Sequence, residues 1–176
     1  MLDVMLDLET MGNGPDAAIV AIGAVEFDLE AGEIGEKFYM VVDLESAIQM
    51  GGIMDASTVL WWMQQSDEAR NVFTRQGETI TKSMLMFSRW LRERGDRSDV
   101  RVWGNGVAFD NVILAGSYRR HNVTPPWSGR NNRCYRTVMK LHPHVKMQRV
   151  GVHHNAVDDA ENQARHLISM IGSKTI

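Results

Sequence analysis

The chain has 176 residues, of which 44% are hydrophobic and 23% charged, so it is long enough to bury the core of one globular domain. A net charge of -3 argues against a protein that wraps long nucleic acid by electrostatics alone, because such proteins are strongly basic. A single cysteine, Cys134, excludes an internal disulfide framework, and no stretch predicts a membrane span or a secretion signal. We therefore expect a single domain over residues 1–176, located in the cytoplasm and without a membrane partner.

The first part of the chain predicts three strands. Residues 2–8 and 19–27 are rich in apolar and β-branched side chains, and the turn Gly12-Asn13-Gly14-Pro15 separates them. A third strand is expected at residues 37–42, after a loop that contains two glycines.

Two helices are expected next, because apolar residues recur at intervals of three and four positions. The predicted stripes are Val59, Trp62 and Met63 in the helix at 57–65, and Ile80, Met84, Phe87 and Leu91 in the helix at 80–94.

The second half of the chain alternates between strands and helices. Strands are predicted at 101–103 and 133–135, and helices at 109–120, 137–141 and 155–171. Three strands followed by alternating elements predict a mixed sheet of about five strands flanked by helices, an α/β domain of the ribonuclease H-like kind.

Two acidic residues end the first strand. Successive side chains alternate on a strand, so Asp7 and Glu9 share one face, opposite Leu6 and Leu8. Two full charges about 4 Å apart repel by roughly 4 kcal/mol at an effective dielectric constant near 20. The pair therefore predicts a bound divalent cation.

Two further acidic clusters lie at the predicted starts of helices. Asp110 follows a strand and a glycine turn, and the segment His153-His154-Asn155-Ala156-Val157-Asp158-Asp159-Ala160 precedes the last helix. Each cluster alone is explained by helix capping, because a carboxylate is stabilised at a helix N-terminus.

Together, the order Asp7-x-Glu9, Phe109-Asp110 and His154-x4-Asp159 resembles the motif pattern of the DEDDh family of 3'-5' exonucleases, over nearly the whole chain. The segments 7–12 and 57–70 further resemble the phage exonuclease A (DexA-like) branch and the related bacterial exoribonucleases. The resemblance implies an enzyme that hydrolyses the terminal phosphodiester of DNA or RNA at the 3' end and releases nucleoside 5'-monophosphates.

The resemblance also implies roles for individual residues. Two Mg²⁺ or Mn²⁺ ions would be held by four carboxylates, and His154 would act as the general base. The implied ligands are Asp7, Glu9, Asp110 and Asp159. Helical periodicity alone leaves Asp158 and Asp159 as equal alternatives, and the spacing of the family motif selects Asp159.

Three residues are candidates for substrate binding. By the same resemblance, Thr10 would meet the 3'-hydroxyl and Met11 would wedge against a base, although Met11 equally suits a packing role. Trp61 lies off the stripe that contains Trp62 and is the better candidate for base stacking, with packing as its alternative. Arg130, Arg133 and Arg136 flank a polar loop that would receive the substrate backbone, if they are not simply solvated.

Other functions remain open at this point. A metal-dependent phosphomonoesterase uses similar acids at a strand end, but the late His-Asp pair would then be unexplained. A noncatalytic nucleic-acid-binding module and an endonuclease are further alternatives. No motif distinguishes DNA from RNA, and single strands are expected more than duplexes. The oligomeric state stays open, with a homodimer as one alternative because resembling small exonucleases are often homodimers.

Overall fold

The structure is a computed structural model that describes residues 1–171. Its strands are β1 Leu2–Thr10, β2 Ile19–Asp28, β3 Glu33–Val41, β4 Val100–Gly104 and β5 Asn132–Cys134. They form one sheet in the order β3-β2-β1-β4-β5. The first three strands are antiparallel, and β4 and β5 continue the sheet in parallel with β1. The expected mixed sheet of about five strands is confirmed.

Helices cover both faces of the sheet. They are α1 Leu44–Gln49, α2 Ala56–Trp62, α3 Asp67–Arg70, α4 Ile80–Arg92, α5 Asp110–Arg120, α6 Tyr135–Leu141 and α7 Ala156–Ile171, with 3-10 turns at Asn71–Thr74 and Gly129–Asn131. Within residues 1–171, no helix has the length and apolar character needed to cross a membrane.

Strand β1 divides two hydrophobic clusters. Val4, Leu6 and Leu8 belong to the larger cluster on one face, whereas Met5 belongs to the cluster formed with α7 on the other. The predicted stripe of α4 is buried in the larger cluster: Ile80, Met84, Phe87 and Leu91 are each at most 2% exposed. This alternation turns the side chains of Asp7 and Glu9 toward α7.

The predicted stripe of α2 is wrong at one position. Met63 is 66% exposed, because α2 ends at Trp62 and the Met63 side chain leaves the packed face. The buried side chains of α2 are Thr58 and Trp62, and the Trp62 indole Nε1 donates to the main-chain oxygen of Thr10 at 2.9 Å. Trp62 thus anchors α2 to the end of β1, and its predicted core position is correct.

The first turn of α7 packs directly on β2 at Gly23. A Cβ atom on Gly23 would lie 2.1 Å from the carbonyl carbon of Ala156 and 2.4 Å from the nitrogen of Val157. Only glycine permits this approach. Because Gly23 pairs with Asp7 across the sheet, the contact brings the first turn of α7 beside the end of β1.

Candidate active site

The acidic pair on β1 faces α7, as the strand alternation predicts. Glu9 is 6% exposed, and Asp7 is partly exposed. The Asp7 Oδ1 atom accepts a hydrogen bond of 2.7 Å from the amide Nε2 of Gln163 on α7. No basic side chain forms an ion pair with Asp7 or Glu9 among residues 1–171.

Asp110 joins the end of β1 to the turn that follows β4. Its two carboxylate oxygens accept separate hydrogen bonds of 3.1 Å from the backbone nitrogens of Leu8 and Asn105. A Cβ atom on Gly104 would lie 3.2 Å from Asp110 Oδ2 and 2.3 Å from Asn111 Oδ1, so glycine leaves the space for this arrangement. Asp110 is 2% exposed. Its side chain therefore links two strands in addition to its place at the start of α5.

Asp159, rather than Asp158, faces the acidic pair. Asp159 Oδ2 accepts from the backbone nitrogen of His154 at 2.9 Å, and Oδ1 contacts Arg149 Nη1. Asp158 instead accepts from the backbone nitrogen of Val152 at 2.9 Å and so braces the loop before α7. Helical periodicity left Asp158 and Asp159 as equal alternatives, and in the structure Asp159 is the one that lies beside Asp7 and Glu9. We refer to Asp7, Glu9, Asp110 and Asp159 as the carboxylate cluster.

The electrostatics of the carboxylate cluster disfavour full ionisation without a cation. Burial, reinforced by the charges of Asp110, Glu9 and Asp159, raises the pKa of Asp7 well above its ordinary value. Burial and the charges of Asp159 and Asp110 raise the pKa of Glu9 to about 8. Burial raises the pKa of Asp110 to about 7, against the opposing effect of its backbone hydrogen bonds.

The cluster contains a donor set suited to a hard divalent cation. Carboxylate oxygens of Asp7, Glu9 and Asp159 lie within 4.8 Å of one another, and oxygen donors are the ligands that Mg²⁺ and Mn²⁺ prefer. Asp110 is not part of this compact trio, although its charge is the strongest acidic influence on Asp7. The three carboxylates fit such an ion because their charges otherwise repel one another.

His154 lies in the loop before α7 in a left-handed conformation, with φ of 64°. Its imidazole stacks on that of His153 at a centroid distance of 3.7 Å and meets the Trp61 indole edge-on at 4.8 Å. Burial first, and then the neighbouring charge of His153, lower the pKa of His154, and Asp159 partly offsets them. The imidazole is therefore neutral near pH 7 and able to accept a proton.

A cleft of about 490 Å³ opens over the carboxylate cluster and His154. Trp61 lines it and is 40% exposed, so its indole face is available to a ligand. Thr10 also lines it, but the hydroxyl already donates to the Gly12 carbonyl at 2.8 Å. Met11 is 5% exposed and packs in the larger hydrophobic cluster, outside the cleft lining. The structure thus brings Trp61 and Thr10 to the carboxylate cluster and assigns Met11 to packing.

Several cleft residues were not predicted from the sequence. Gln163 lies four residues after Asp159, one helical turn along the same face, and this spacing was a signal that could have identified it. Arg149 lies in an irregular loop, where no periodicity marks it. Of the three predicted arginines, Arg136 lines the cleft, whereas Arg130 and Arg133 do not.

Comparison with known proteins decides the family. Residues 2–171 match the family of the 3'-5' exoribonuclease Rv2179c-like domain. The chain belongs to this family. It is also 30% identical, over 131 residues, to an exodeoxyribonuclease of Enterobacteria phage T4, a match that covers 68% of this chain and 56% of the phage protein. The chain therefore spans little more than half the length of that curated relative.

Solved structures extend the likeness to the fold. The nuclease domain of 3'hExo, described as a DEDDh family member bound to rAMP, has a TM-score of 0.68 at 15% identity, covering 98% of this chain and 92% of that domain. E. coli exonuclease I from a complex with single-stranded DNA has a TM-score of 0.60 at 17% identity, covering 99% of this chain and 40% of that protein. This Rv2179c-like domain therefore shares the fold of these exonucleases, one of them described as a DEDDh family member, as the order of the motifs predicted.

Proposed function

We propose that this chain is a 3'-5' exonuclease that hydrolyses the terminal phosphodiester bond of a nucleic acid and releases nucleoside 5'-monophosphates. The observation that carries the proposal is the convergence, in one cleft, of the carboxylates of Asp7, Glu9 and Asp159, the first two without an ion-pair partner in residues 1–171, with the imidazole of His154. Family membership supports the direction of cleavage from the 3' end.

The carboxylate cluster would hold two divalent cations, Mg²⁺ or Mn²⁺. Such ions orient the attacking water and stabilise the charge that develops on the departing 3'-oxygen. Asp7, Glu9 and Asp159 supply the compact oxygen set, and Asp110 adds a fourth carboxylate beside Asp7. Gln163 fixes the rotamer of Asp7 through its 2.7 Å hydrogen bond.

His154 accepts the proton of the attacking water in this proposal. Its backbone nitrogen bonds to Asp159 at 2.9 Å, so the base is tied to one of the acids that would hold the ions. The side chain of Trp61 stacks on the terminal base, because an exposed indole face accepts any base. Thr10 forms the edge of the cleft next to this nucleotide.

The proposed substrate is an unpaired 3' end. A cleft of about 490 Å³ is in the range that accommodates one small ligand, which suits a terminal nucleotide separated from its pairing partner. The family is described as exoribonuclease-like and the phage relative as an exodeoxyribonuclease, so both polymers belong in the test. A homodimer is also part of this proposal, and a solution mass of twice that of the chain would support it.

The decisive assay uses 5'-labelled single- and double-stranded DNA and RNA of one sequence, with Mg²⁺, Mn²⁺ or a chelator. We expect stepwise shortening from the 3' end, 5'-monophosphate products, and no reaction with the chelator. A blocked 3' end should stop cleavage. Internal cutting would indicate an endonuclease, and release of inorganic phosphate from a monoester alone would indicate a phosphomonoesterase.

The neighbouring pair Asp158 and Asp159 offers a matched control. Asp159→Asn should lower kcat by about a thousandfold, because it removes a carboxylate from the proposed cation site. Asp158→Asn keeps an acceptor for the Val152 backbone nitrogen and should stay within about tenfold of wild type. The reverse order of effects would contradict the assignment of Asp159.

A further inference from the structure

Within residues 1–171, Arg149 forms an ion pair with one member of the carboxylate cluster, Asp159. Its Nη1 atom contacts Asp159 Oδ1, and the two side chains are 40% and 9% exposed. The guanidinium reaches this position from an irregular loop and lines the same cleft as the acids. A positive charge therefore already lies where the proposed cation would bind Asp159.

The other arginine of the cleft lining is engaged differently. Arg136 Nη2 donates to the main-chain oxygen of Asn105 at 2.6 Å, and its Nε donates to the Asn105 side-chain oxygen at 3.3 Å. It forms no ion pair with any acid among the described residues. Arg136 is thus held by neutral acceptors, whereas Arg149 is held by a carboxylate.

A cation arriving at Asp159 must compete with Arg149. One oxygen of Asp159 is already used by the backbone nitrogen of His154, and the other faces the guanidinium. A divalent ion beside Asp159 would repel Arg149 and weaken the attraction that holds it. The two positive groups therefore compete for this carboxylate.

The loop around Arg149 is anchored while the arginine side chain is half exposed. The backbone nitrogen of Val150 donates to the Asn162 side-chain oxygen at 2.9 Å, and Asn162 Nδ2 donates back to the Val150 carbonyl at 2.8 Å. A displaced Arg149 side chain can therefore rotate while its backbone stays at the rim of the cleft. A guanidinium there is well suited to a phosphate, which it binds with two parallel hydrogen bonds.

We propose that Arg149 has two alternating partners: it neutralises Asp159 in the metal-free protein, and, when a divalent cation displaces it, it binds the backbone phosphate of the substrate. This inference rests on the proposed function of the same cleft. It makes Arg149 a substrate-binding residue whose engagement depends on the bound cation.

The first test measures Mn²⁺ binding to the protein without substrate, by titration calorimetry and by the electron paramagnetic resonance signal of free Mn²⁺. Arg149→Gln should bind Mn²⁺ about two- to fivefold more tightly than wild type, the change expected from the loss of a half-exposed competing ion pair. Arg136→Gln is the matched control and should change Mn²⁺ affinity less, because Arg136 forms no ion pair with a carboxylate and acts on Asp110 only through its nearby charge.

The second test measures cleavage at saturating Mn²⁺. Arg149→Gln should raise KM for a single-stranded oligonucleotide about tenfold or more, because a charge-assisted contact with phosphate is lost. Arg149→Lys keeps the charge without the two-pronged donor, so its Mn²⁺ affinity should stay near wild type and its KM should rise less. Tighter metal binding together with weaker substrate binding is a combination that a purely structural role would not produce.

The outcomes separate the two proposals. If the wild-type protein binds no Mn²⁺, the proposed function itself is wrong. If the wild type binds Mn²⁺ and cleaves, but Arg149→Gln has unchanged or weaker Mn²⁺ affinity, the competition at Asp159 is wrong. If Mn²⁺ affinity rises and KM does not change, Arg149 does not bind the phosphate and the alternating-partner proposal is overturned.

Discussion

The acidic side chains at the two ends of strand β1 differ in whether a basic side chain pairs with them. Asp3 lies on the same strand face as Asp7 and Glu9, and it is 3% exposed. Its carboxylate accepts from Arg101 Nε at 2.8 Å and from Trp103 Nε1 at 2.7 Å, and it also contacts Arg101 Nη2. Asp7 and Glu9 form no ion pair within the described part of the chain. The fold therefore neutralises one end itself and leaves Asp7 and Glu9 at the other end, within residues 1–171, without an ion-pair partner.

The difference comes from the strands beside β1. Arg101 on β4 pairs in register with Asp3 and supplies the charge directly. At the other end β4 stops at Gly104, and the partners of Asp7 and Glu9 on β2 are Gly23 and Ala21. These small neighbours contribute no charge, and the space that Gly23 leaves is occupied by the first turn of α7. Buried acids of the same type on the same strand can therefore be structural or functional, depending on their cross-strand partners.

The largest expected effect comes from changing the unpaired end. Asp7→Asn should lower kcat by at least about a thousandfold, because it removes a carboxylate from the centre of the proposed cation site. The variant should be at least as stable as wild type without metal, since it also removes a repelling charge. Mononucleotide release and thermal unfolding measure the two effects. A folded Asp7→Asn protein with normal kcat would contradict the proposal that Asp7 helps to bind a catalytic cation.

A smaller loss is expected at the base. His154→Asn should lower kcat by about a hundredfold or more, within the usual range for removal of a general base. Asparagine is the appropriate replacement because it tolerates the left-handed backbone observed here, whereas alanine would add strain. His153→Asn is the control, with an expected change below about fivefold. Equal losses in the two variants would mean that the stacked pair acts structurally.

A substitution at Asp3, the ion-paired end of β1, should change the free energy of unfolding rather than kcat. Asp3→Asn removes the negative charge of the carboxylate to which Arg101 and Trp103 both donate hydrogen bonds. It should lower the free energy of unfolding by about 1–3 kcal/mol. Its kcat should remain within about twofold of wild type, because Asp3 lies outside the cleft lining. Urea unfolding and the oligonucleotide assay provide the two values. A stable Asp3→Asn protein that has lost activity would reverse the roles given to the two ends.

The smallest expected effect is a pH dependence of stability without metal. Glu9 has a pKa of about 8 in the folded chain against an ordinary value near 4.5, so the folded state keeps a proton that the unfolded state releases. Stability should therefore fall as pH rises from about 5 to 8, by several degrees in Tm.

Calorimetry in a chelator measures this slope. Mg²⁺ should raise Tm more at pH 8 than at pH 5, because the cation replaces the proton between the acids. Glu9→Gln should make the metal-free slope less steep, and the raised pKa of Asp110 should account for part of the slope that is left. A wild-type Tm that is constant or rises over this range would contradict the raised pKa of Glu9.

The sequence predicted the parts of the fold that have strong periodicity. Strands β1 and β2 and helices α4 and α7 follow apolar patterns close to their observed bounds. Strand β3 begins at Glu33 rather than at the predicted residue 37, and its start was missed because Ile34 is the one apolar residue among the first four. Helices α1 and α3 were missed because each is six residues or fewer, too short to show an apolar stripe.

The candidate site was predictable where residues form a motif and unpredictable where they depend on tertiary contact. The positions of Asp7 and Glu9 follow from strand alternation alone. Helical periodicity left Asp158 and Asp159 open, the spacing of the family motif selected Asp159, and in the structure Asp159 is the one that lies beside Asp7 and Glu9. Arg149 reaches the cleft from an irregular loop, and no local pattern specifies where such a side chain points.

The contact between Gly23 and α7 also affects which ions the cleft can accept. Main-chain atoms of Ala156 and Val157 lie against Gly23, so packing holds the start of α7 at a fixed height above β1. The contact sets a lower limit on the distance between α7 and the strand acids. A smaller ion in the proposed site would therefore be accommodated by rotation of carboxylates and by its own hydration shell, because α7 cannot approach β2 any further.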